Sequence, residues 1–412
     1  MSKASLVKVY HKSIIEPVII SLPASKSESN RALIINSFAN GFLNNLSEAR
    51  DTQTMMKLLK YDDIKLDVLD AGTTMRFLLA FCALTNKNKI LTGTTRMCER
   101  PIGILVEALR AIGAEIKYLE NEGYPPLETL GFSKQTTDKI SIRGDVSSQY
   151  ISAIMMLAPT LPKGLTIHLE GNVASKPYIL MTLQLMRNFG ASLEYTLDNK
   201  INIKSSEYNA SEFTVESDWS GASYWFSFVA LAQKAEVLLI GLKPNSLQGD
   251  NKIMDIMRFL GVAAEFTPDG LKLSKIKSQT SFRYDFSNCP DLAQTIAVVC
   301  AAKRIKADFT GLESLKIKET NRILALQNEL AKIGAHLEEV DGKLWKLHPS
   351  QSISEFNEMS IDTYDDHRMA MAFAPLATLM NIIIQNPSTV DKSYPSFWNH
   401  MEHAGFEMQF IQ

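Results

Sequence analysis

The residues whose types and spacing could do chemistry are cations gathered with hydroxyls where helices begin. The stretch 22–33, LPASKSESNRAL, sets Lys26, Ser27 and Arg31 in a run of small polar residues that opens onto the apolar helical pattern Leu33, Ile34, Ile35 and Phe38. Free backbone N–H groups and the positive end of the helix dipole attract phosphate or carboxylate there, and Lys and Arg add full charges. A single run of this kind is ordinarily a Ser-rich N-cap and nothing more. Here it recurs. Apolar helical patterns also begin after DAGTTMR (70–76), DVSSQY (145–150), DWSGAS (218–223), NCPD (288–291) and YDDHR (364–368).

More cations stand where a second set of helices starts: Arg96 and Arg100 in TTRMCERP, Lys176 in ASKPY, Lys318 and Arg322 in KIKETNR, and Lys392 in DKSYP. Spacing of four puts Lys318 and Arg322 on one helix face with Glu319 beside them, and Pro101 and Pro177 suit a first helical turn. One such cation is usually a solvated surface residue; a set repeated in register is harder to assign to the surface. The chemistry implied is work on more than one anionic group in a closed, dry site. Arg makes two-pronged contacts to carboxylate or phosphate, Lys is a mobile charge that can also move a proton, and Ser147 and Ser148 suit phosphate or sugar oxygens. GxGxxG and GxxxxGK[ST] are absent and the seven histidines show no paired ligand spacing, so neither nucleotide nor metal is indicated.

The elements that must hold these residues repeat. Helical patterns stop at Gly113, Gly190, Gly261, Gly334 and Gly405, separated by 77, 71, 73 and 71 residues, each followed by a short strand pattern. Glycine there accepts the left-handed conformation that closes a helix. Each copy also carries an earlier, nearly all-apolar helix, six in total: RALIINSFAN, TMRFLLAFCAL, SQYISAIMMLA, ASYWFSFVALA, DLAQTIAVVCAA and HRMAMAFAPLATL. Strands such as GLTIHLEG, AEVLLIGL, KADFTGL and NIIIQNP lie between the two helices of a copy. The first copy is short: only 14 residues separate Leu59 from Thr73, room for one strand such as IKLDVL. Three copies on each side of two crossings give two similar domains, one of residues 22–218 and a discontinuous one of residues 1–21 and 219–412, with the six helix starts lining a cleft between them.

Bulk composition narrows the class. With 45% hydrophobic and 21% charged residues over 412 positions, the chain reads as an ordinary globular protein with room for two cores. Net charge of −2 argues against a nucleic-acid or membrane surface as main partner, so anion binding must be local. Cys82, Cys98, Cys289 and Cys300 have neither CxxC spacing nor a secreted framework and read as reduced thiols of a cytoplasmic chain. The start MSKASLVKVYHKSII has no signal-peptide core, and the apolar stretch 369–384, broken by Pro375 and Asn381, reads as a buried helix and a strand rather than a membrane span.

Taken in order, LPASKSESNRAL, DAGTTMRFL, LTGTTRMCERPIG, VSSQY, SKPY, CPDLAQTIA, KIKETNRI and DDHRMAMAF resemble the 5-enolpyruvylshikimate-3-phosphate (EPSP) synthase family over essentially the whole chain. The resemblance implies an inside-out α/β fold of two domains, each of three βαβαββ units. It also implies transfer of the enolpyruvyl group of phosphoenolpyruvate to the 5-hydroxyl of shikimate 3-phosphate with release of phosphate. No metal or organic cofactor is implied, and the partners expected are these two small molecules, with no nucleic acid, no membrane and no second subunit. By resemblance, Lys26, Ser27, Arg31, Ser147, Ser148, Gln149, Ser175, Tyr178, Asp291 and Lys318 are shikimate 3-phosphate contacts. Lys26, Gly72, Arg96, Gln149, Arg322, Arg368 and Lys392 are phosphoenolpyruvate contacts. Asp291 is the candidate base for the 5-hydroxyl proton; Glu319 and Lys26 are candidates for the proton at the methylene carbon, with His367 and Lys392 assisting.

Two positions depart from the family pattern: Asp70 stands where Asn is usual, and Phe77 follows Arg76 where Pro or Ser is common. Both bear on the phosphoenolpyruvate pocket and on how the family's inhibitor glyphosate would fit. The sister enzyme acting on UDP-N-acetylglucosamine shares the fold, but it carries Asn after its first-helix Lys and a reactive Cys in a glycine-rich loop. Here Ser27 follows Lys26 and Cys98 has no such loop. A non-catalytic sugar-phosphate-binding repeat protein would leave Asp291 and Glu319 dispensable.

Overall fold

The computed structural model describes residues 4–173, 175–349 and 358–412; Ala174 of the ASKPY motif and the first three residues fall outside them. The five stop glycines all have positive φ, from 71° at Gly334 to 122° at Gly113. At Gly113, which closes the helix Gly103–Ile112, the carbonyl oxygen of Lys134 lies 2.3 Å from where a Cβ would stand, so both conformation and space require glycine.

The chain forms two compact units, residues 1–24 with 216–412, and residues 25–215. One repeat of the first unit shows the pattern. The strand Ser281–Asp285 leads through a 3-10 turn into the helix Ala293–Ala302, which is buried at every position but its last. The strand Lys306–Thr310 returns parallel to the first. The amphipathic helix Arg322–Lys332 follows, and the antiparallel strands His336–Glu339 and Leu344–His348 complete the sheet, with the latter hydrogen-bonded to Lys306–Thr310. A helix apolar on all sides must be buried all round, and one with an apolar stripe covers the core with its polar face outward.

Ile14–Ser21, Lys234–Ile240, Gly270–Lys275 and Val262–Thr267 form the corresponding sheet of another repeat, with Ile14–Ser21 parallel to Lys234–Ile240. In the last repeat the strand between Asn381–Gln385 and Met408–Ile411 is Leu6–Val9, from the opposite end of the sequence. The buried helices Trp219–Leu231, Ala293–Ala302 and His367–Phe373 pack against one another inside this unit.

The other unit holds two full repeats, with sheets built on Lys65–Asp67 and Lys89–Thr92, and on Lys139–Arg143 and Leu165–Glu170. The short repeat has two strands, Phe42–Asn44 and Glu212–Thr214, parallel to each other; no antiparallel pair extends them among the described residues. The residues 65–67 foreseen as the strand of the short copy lead the sheet of the next repeat instead. The helices Lys26–Ala39, Gly72–Leu84 and Ser148–Leu157 pack together as its buried core.

Candidate active site

Each of the two units gathers its helix starts around a set of charges. In the unit of residues 25–215, Ser25 caps the helix Lys26–Ala39 by accepting from the Glu28 N–H, which leaves Lys26 in the first turn. Lys26 Nζ bonds Asp51 Oδ2 at 3.1 Å, in the first turn of the helix Arg50–Leu59. The Asp51 carbonyl accepts from Thr74 Oγ1 at 3.1 Å, and Thr73 Oγ1 accepts from Gln149 Nε2 at 3.0 Å. Ser147 caps the helix Ser148–Leu157, accepting from the Gln149 N–H, so three buried helices meet at their N-terminal ends.

Arg31 lies one turn inside. Its guanidinium donates to Thr182 Oγ1 at 2.7 Å, the Ser27 carbonyl at 2.9 Å and Ser152 Oγ at 3.2 Å, and it lies over the rings of Phe77 (5.4 Å) and Tyr178 (5.7 Å). All three acceptors are neutral. Burial lowers its pKa to about 10, against the partial support of Tyr178 and Glu28. A cation so held is rigid and still attractive to an anion. Ser27 and Ser148 stand in the first turns of their helices, and Ser175, at φ 53°, precedes the helix Lys176–Asn188 without capping it.

Around Gly72 the cations crowd together. Arg76 Nη1 donates to the Gly72 carbonyl at 2.9 Å, and a Cβ at Gly72 would meet both Arg76 Nη1 and Arg100 Nη1 at 2.6 Å. Arg76 and Arg100 are buried, whereas Arg96, on the one-turn helix Thr95–Cys98, is half exposed and bonds Glu99 at 3.1 Å. The Cys98 thiol contacts the Gly93 carbonyl at 3.8 Å.

In the unit of residues 1–24 and 216–412 the charges are more tightly knit. Arg322 donates through Nε to Asp366 Oδ2 at 2.6 Å, through Nη1 to Asp291 Oδ1 at 3.0 Å and through Nη2 to Glu319 Oε2 at 2.9 Å. Arg368 Nη2 pairs with the other Asp291 oxygen at 2.9 Å, and Lys392 Nζ lies 3.8 Å from Glu319 Oε1. His367 is buried, its Nδ1 3.8 Å from Asp366 Oδ1. Burial would raise the pKa of Asp291, but Arg368, Lys318 and Arg322 outweigh it and hold the carboxyl well below the usual carboxylate range. Burial likewise opposes the charge on Arg322, and Asp366, Glu319 and Asp291 together reverse that.

Two local expectations are corrected. The helix begins at Arg322, capped by the Asn321 side chain, so Lys318 and Glu319 lie ahead of it rather than on its face; Lys318 follows the 3-10 turn Glu313–Ile317 in extended conformation. Asn321 reaches the Leu324 N–H only if the backbone ahead of it leaves the helix, which sets Glu319 back against Arg322. Pro101 likewise precedes the helix Gly103–Ile112, whose cap is Ile102, while Pro177 does stand in the first turn of its helix.

The sequence model of the family described as EPSP synthase (3-phosphoshikimate 1-carboxyvinyltransferase) matches residues 60–401. A 3-phosphoshikimate 1-carboxyvinyltransferase of Bacteroides fragilis is 47% identical over 391 residues, covering 94% of this chain and 95% of the relative. This chain belongs to the EPSP synthase family. A protein of the same name from Sulfurovum sp. is 35% identical, covering 93% of this chain and 95% of its own. Among solved structures, an EPSP synthase from Acinetobacter baumannii superposes with a TM-score of 0.77 at 19% identity, covering 98% of this chain and 99% of that one, a likeness of fold. The architecture is accordingly the two-domain α/β fold of the EPSP synthases. Among the described residues, no helix is long and apolar enough to cross a membrane.

Both departures from the EPSP synthase pattern have partners here. Asp70 pairs with Arg50 Nη2 at 3.0 Å, and Phe77 is one of the two rings against Arg31. Asp51, Arg76 and Asp366 touch candidate residues, yet no spacing in the sequence marks them as part of the site. Asp366 was within the YDDHR motif and next to His367, so a capping carboxylate one residue ahead of a buried helix was the available signal.

Proposed function

We propose the following roles for the candidate residues in the reaction of the family. The chain transfers the enolpyruvyl group of phosphoenolpyruvate to the 5-hydroxyl of shikimate 3-phosphate and releases phosphate, the reaction of its family. Family membership decides against UDP-N-acetylglucosamine as acceptor and against a non-catalytic binding protein. In this reading Arg31, Tyr178, the serines and Lys318 hold shikimate 3-phosphate. Gly72, Arg96, Gln149, Arg322, Arg368 and Lys392 hold phosphoenolpyruvate, with Lys26 serving both.

The observation that carries the assignment of roles is Asp291 bridged by two guanidiniums, Arg322 at 3.0 Å and Arg368 at 2.9 Å. Paired only with these cations, Asp291 is too weak a base for a hydroxyl proton. An anionic ligand drawn onto Arg322 and Arg368 absorbs their charge, and the Asp291 pKa then rises. Asp291 thus becomes a base when phosphoenolpyruvate is in place. It takes the 5-hydroxyl proton as the hydroxyl oxygen bonds to the central carbon of phosphoenolpyruvate and the methylene carbon gains a proton. The tetrahedral adduct then loses a methyl proton and breaks its C–O bond to phosphate, which leaves with the electron pair. Glu319, beside Lys392, is suited to give and retake the carbon-bound proton, with Lys26 as the other candidate and His367 assisting. The arginines stabilise the departing phosphate.

Phosphate release on mixing the purified chain with both substrates tests the reading, with UDP-N-acetylglucosamine as competing acceptor. Release with the shikimate acceptor alone is the expected result; release with the sugar nucleotide, or with neither, overturns it. We also propose a cytoplasmic monomer, for which light scattering should give a mass near the chain's 46.0 kDa.

A further inference from the structure

Behind Arg368 stands a buried acid that the reaction scheme above does not use. Ser220, in the first turn of the helix Trp219–Leu231, donates its hydroxyl to Asp250 Oδ2 and accepts from Arg368 Nη2 at 3.4 Å. Asp250 lies on the 3-10 turn Gly249–Lys252 and is 4% exposed. Its other oxygen, Oδ1, is buried with no hydrogen-bond partner among the described residues. The charged and titratable groups facing it are Asp291 on the turn Pro290–Leu292, Arg368 on the helix His367–Phe373, Asp218 at the cap of Trp219–Leu231, and the Cys289 thiol. Arg368 is thus the one cation in this set, reached through a hydroxyl and already shared with Asp291. Burial first, and then the like charge of Asp291, push the Asp250 pKa up to about 7, against the pull of Arg368 and the Ser220 bond.

We propose that Asp250 is a positioning residue for phosphoenolpyruvate binding, acting through the Ser220 hydroxyl on the guanidinium of Arg368. The proposal rests on the reading that Arg368 contacts phosphoenolpyruvate. With Asp250 ionised, Ser220 must give it a proton, and Arg368 sits in the field of two carboxylates, which weakens its hold on an incoming anion. With Asp250 protonated, the acid donates to Ser220 instead, the serine proton is free to turn toward a ligand, and Arg368 faces one negative charge fewer. Binding of the anion therefore draws a proton onto Asp250, and by linkage a rise in pH through its titration weakens binding. Shikimate 3-phosphate, assigned mainly to other residues, does not share this dependence.

The test is the KM for each substrate from pH 5.5 to 9, by phosphate release, in the wild-type chain, Asp250→Asn and Ser220→Ala. The titration of phosphoenolpyruvate itself is common to all three and cancels in their ratios. The wild-type KM for phosphoenolpyruvate, divided by that of Asp250→Asn, should rise on the order of tenfold across the range. The ratio for shikimate 3-phosphate should stay within about twofold. Ser220→Ala should raise the phosphoenolpyruvate KM and weaken the same pH dependence, and it decides the matter if Asp250→Asn does not fold. A ratio constant with pH, or both KM values moving together, overturns the proposal while leaving the reaction assignment intact. A wild-type chain that releases no phosphate overturns the reaction assignment and the proposal with it.

Discussion

Asp291 touches two guanidiniums through its two oxygens, and the same contacts that keep it ionised make it a weak base. Replacing it with Asn separates these effects. Asp291→Asn should lower kcat on the order of 10²- to 10⁴-fold, the usual share of a general base. The KM for phosphoenolpyruvate should fall or stay level, because Arg322 and Arg368 lose a competitor for the anion. The KM for shikimate 3-phosphate should rise by no more than about tenfold, the worth of one hydrogen bond. Steady-state kinetics on the purified variant check all three numbers, and an unchanged kcat with both KM values raised would make Asp291 a binding group only. Arg31 differs in kind. Its acceptors are all neutral and its faces are covered by Phe77 and Tyr178, so its geometry is fixed while its charge remains for a ligand.

The elements carrying these residues differ in how plainly the sequence displays them. Stop glycines are legible because one backbone conformation selects one residue type, and buried helices because an apolar pattern on all sides has a single explanation. The placement of Lys318 and Glu319 ahead of the helix is not legible in spacing, because a spacing of four marks one face only where the helix is continuous, and Asn321 begins a new one. Pairings such as Arg50 with Asp70, or Ser220 with Asp250, join helix starts to turns 20 and 30 residues away, and nothing in local spacing states which of them meet. The glycine reading can be tested against a control. Gly113→Ala meets both a left-handed φ of 122° and the Lys134 carbonyl, whereas Gly123→Ala, at φ 87°, has nothing within 4 Å of the new Cβ. Gly123→Ala should destabilise by about 1 kcal/mol and Gly113→Ala by roughly 2–3 kcal/mol, read from urea midpoints. Activity per folded molecule should be unchanged in both, and equal losses would show that conformation alone, not space, selects Gly113.

At the scale of the molecule, the two acids flanking Arg368 act oppositely on stability. Asp291 is depressed by the surrounding cations, so its contribution is present above the unfolded carboxylate value of about 3.9 and is lost only as pH falls below it. Asp250 is raised to about 7, so the folded state carries no penalty from it at low pH, a growing one between about pH 4 and 7, and a constant one above. Together they place the most stable pH of this network near the unfolded carboxylate value of about 4, well below neutrality, a cost accepted if Asp250 serves binding rather than folding. Asp250→Asn removes the rising penalty and leaves Asp291 ionised. The Tm of the variant relative to wild type should therefore rise from pH 5 to pH 8 and level off beyond. Thermal unfolding at pH 5, 6.5, 8 and 9 measures this without substrate or turnover. A difference that is flat with pH would mean Asp250 titrates near its unfolded value in the folded chain, and the carboxylate would then be held by more than the Ser220 hydroxyl.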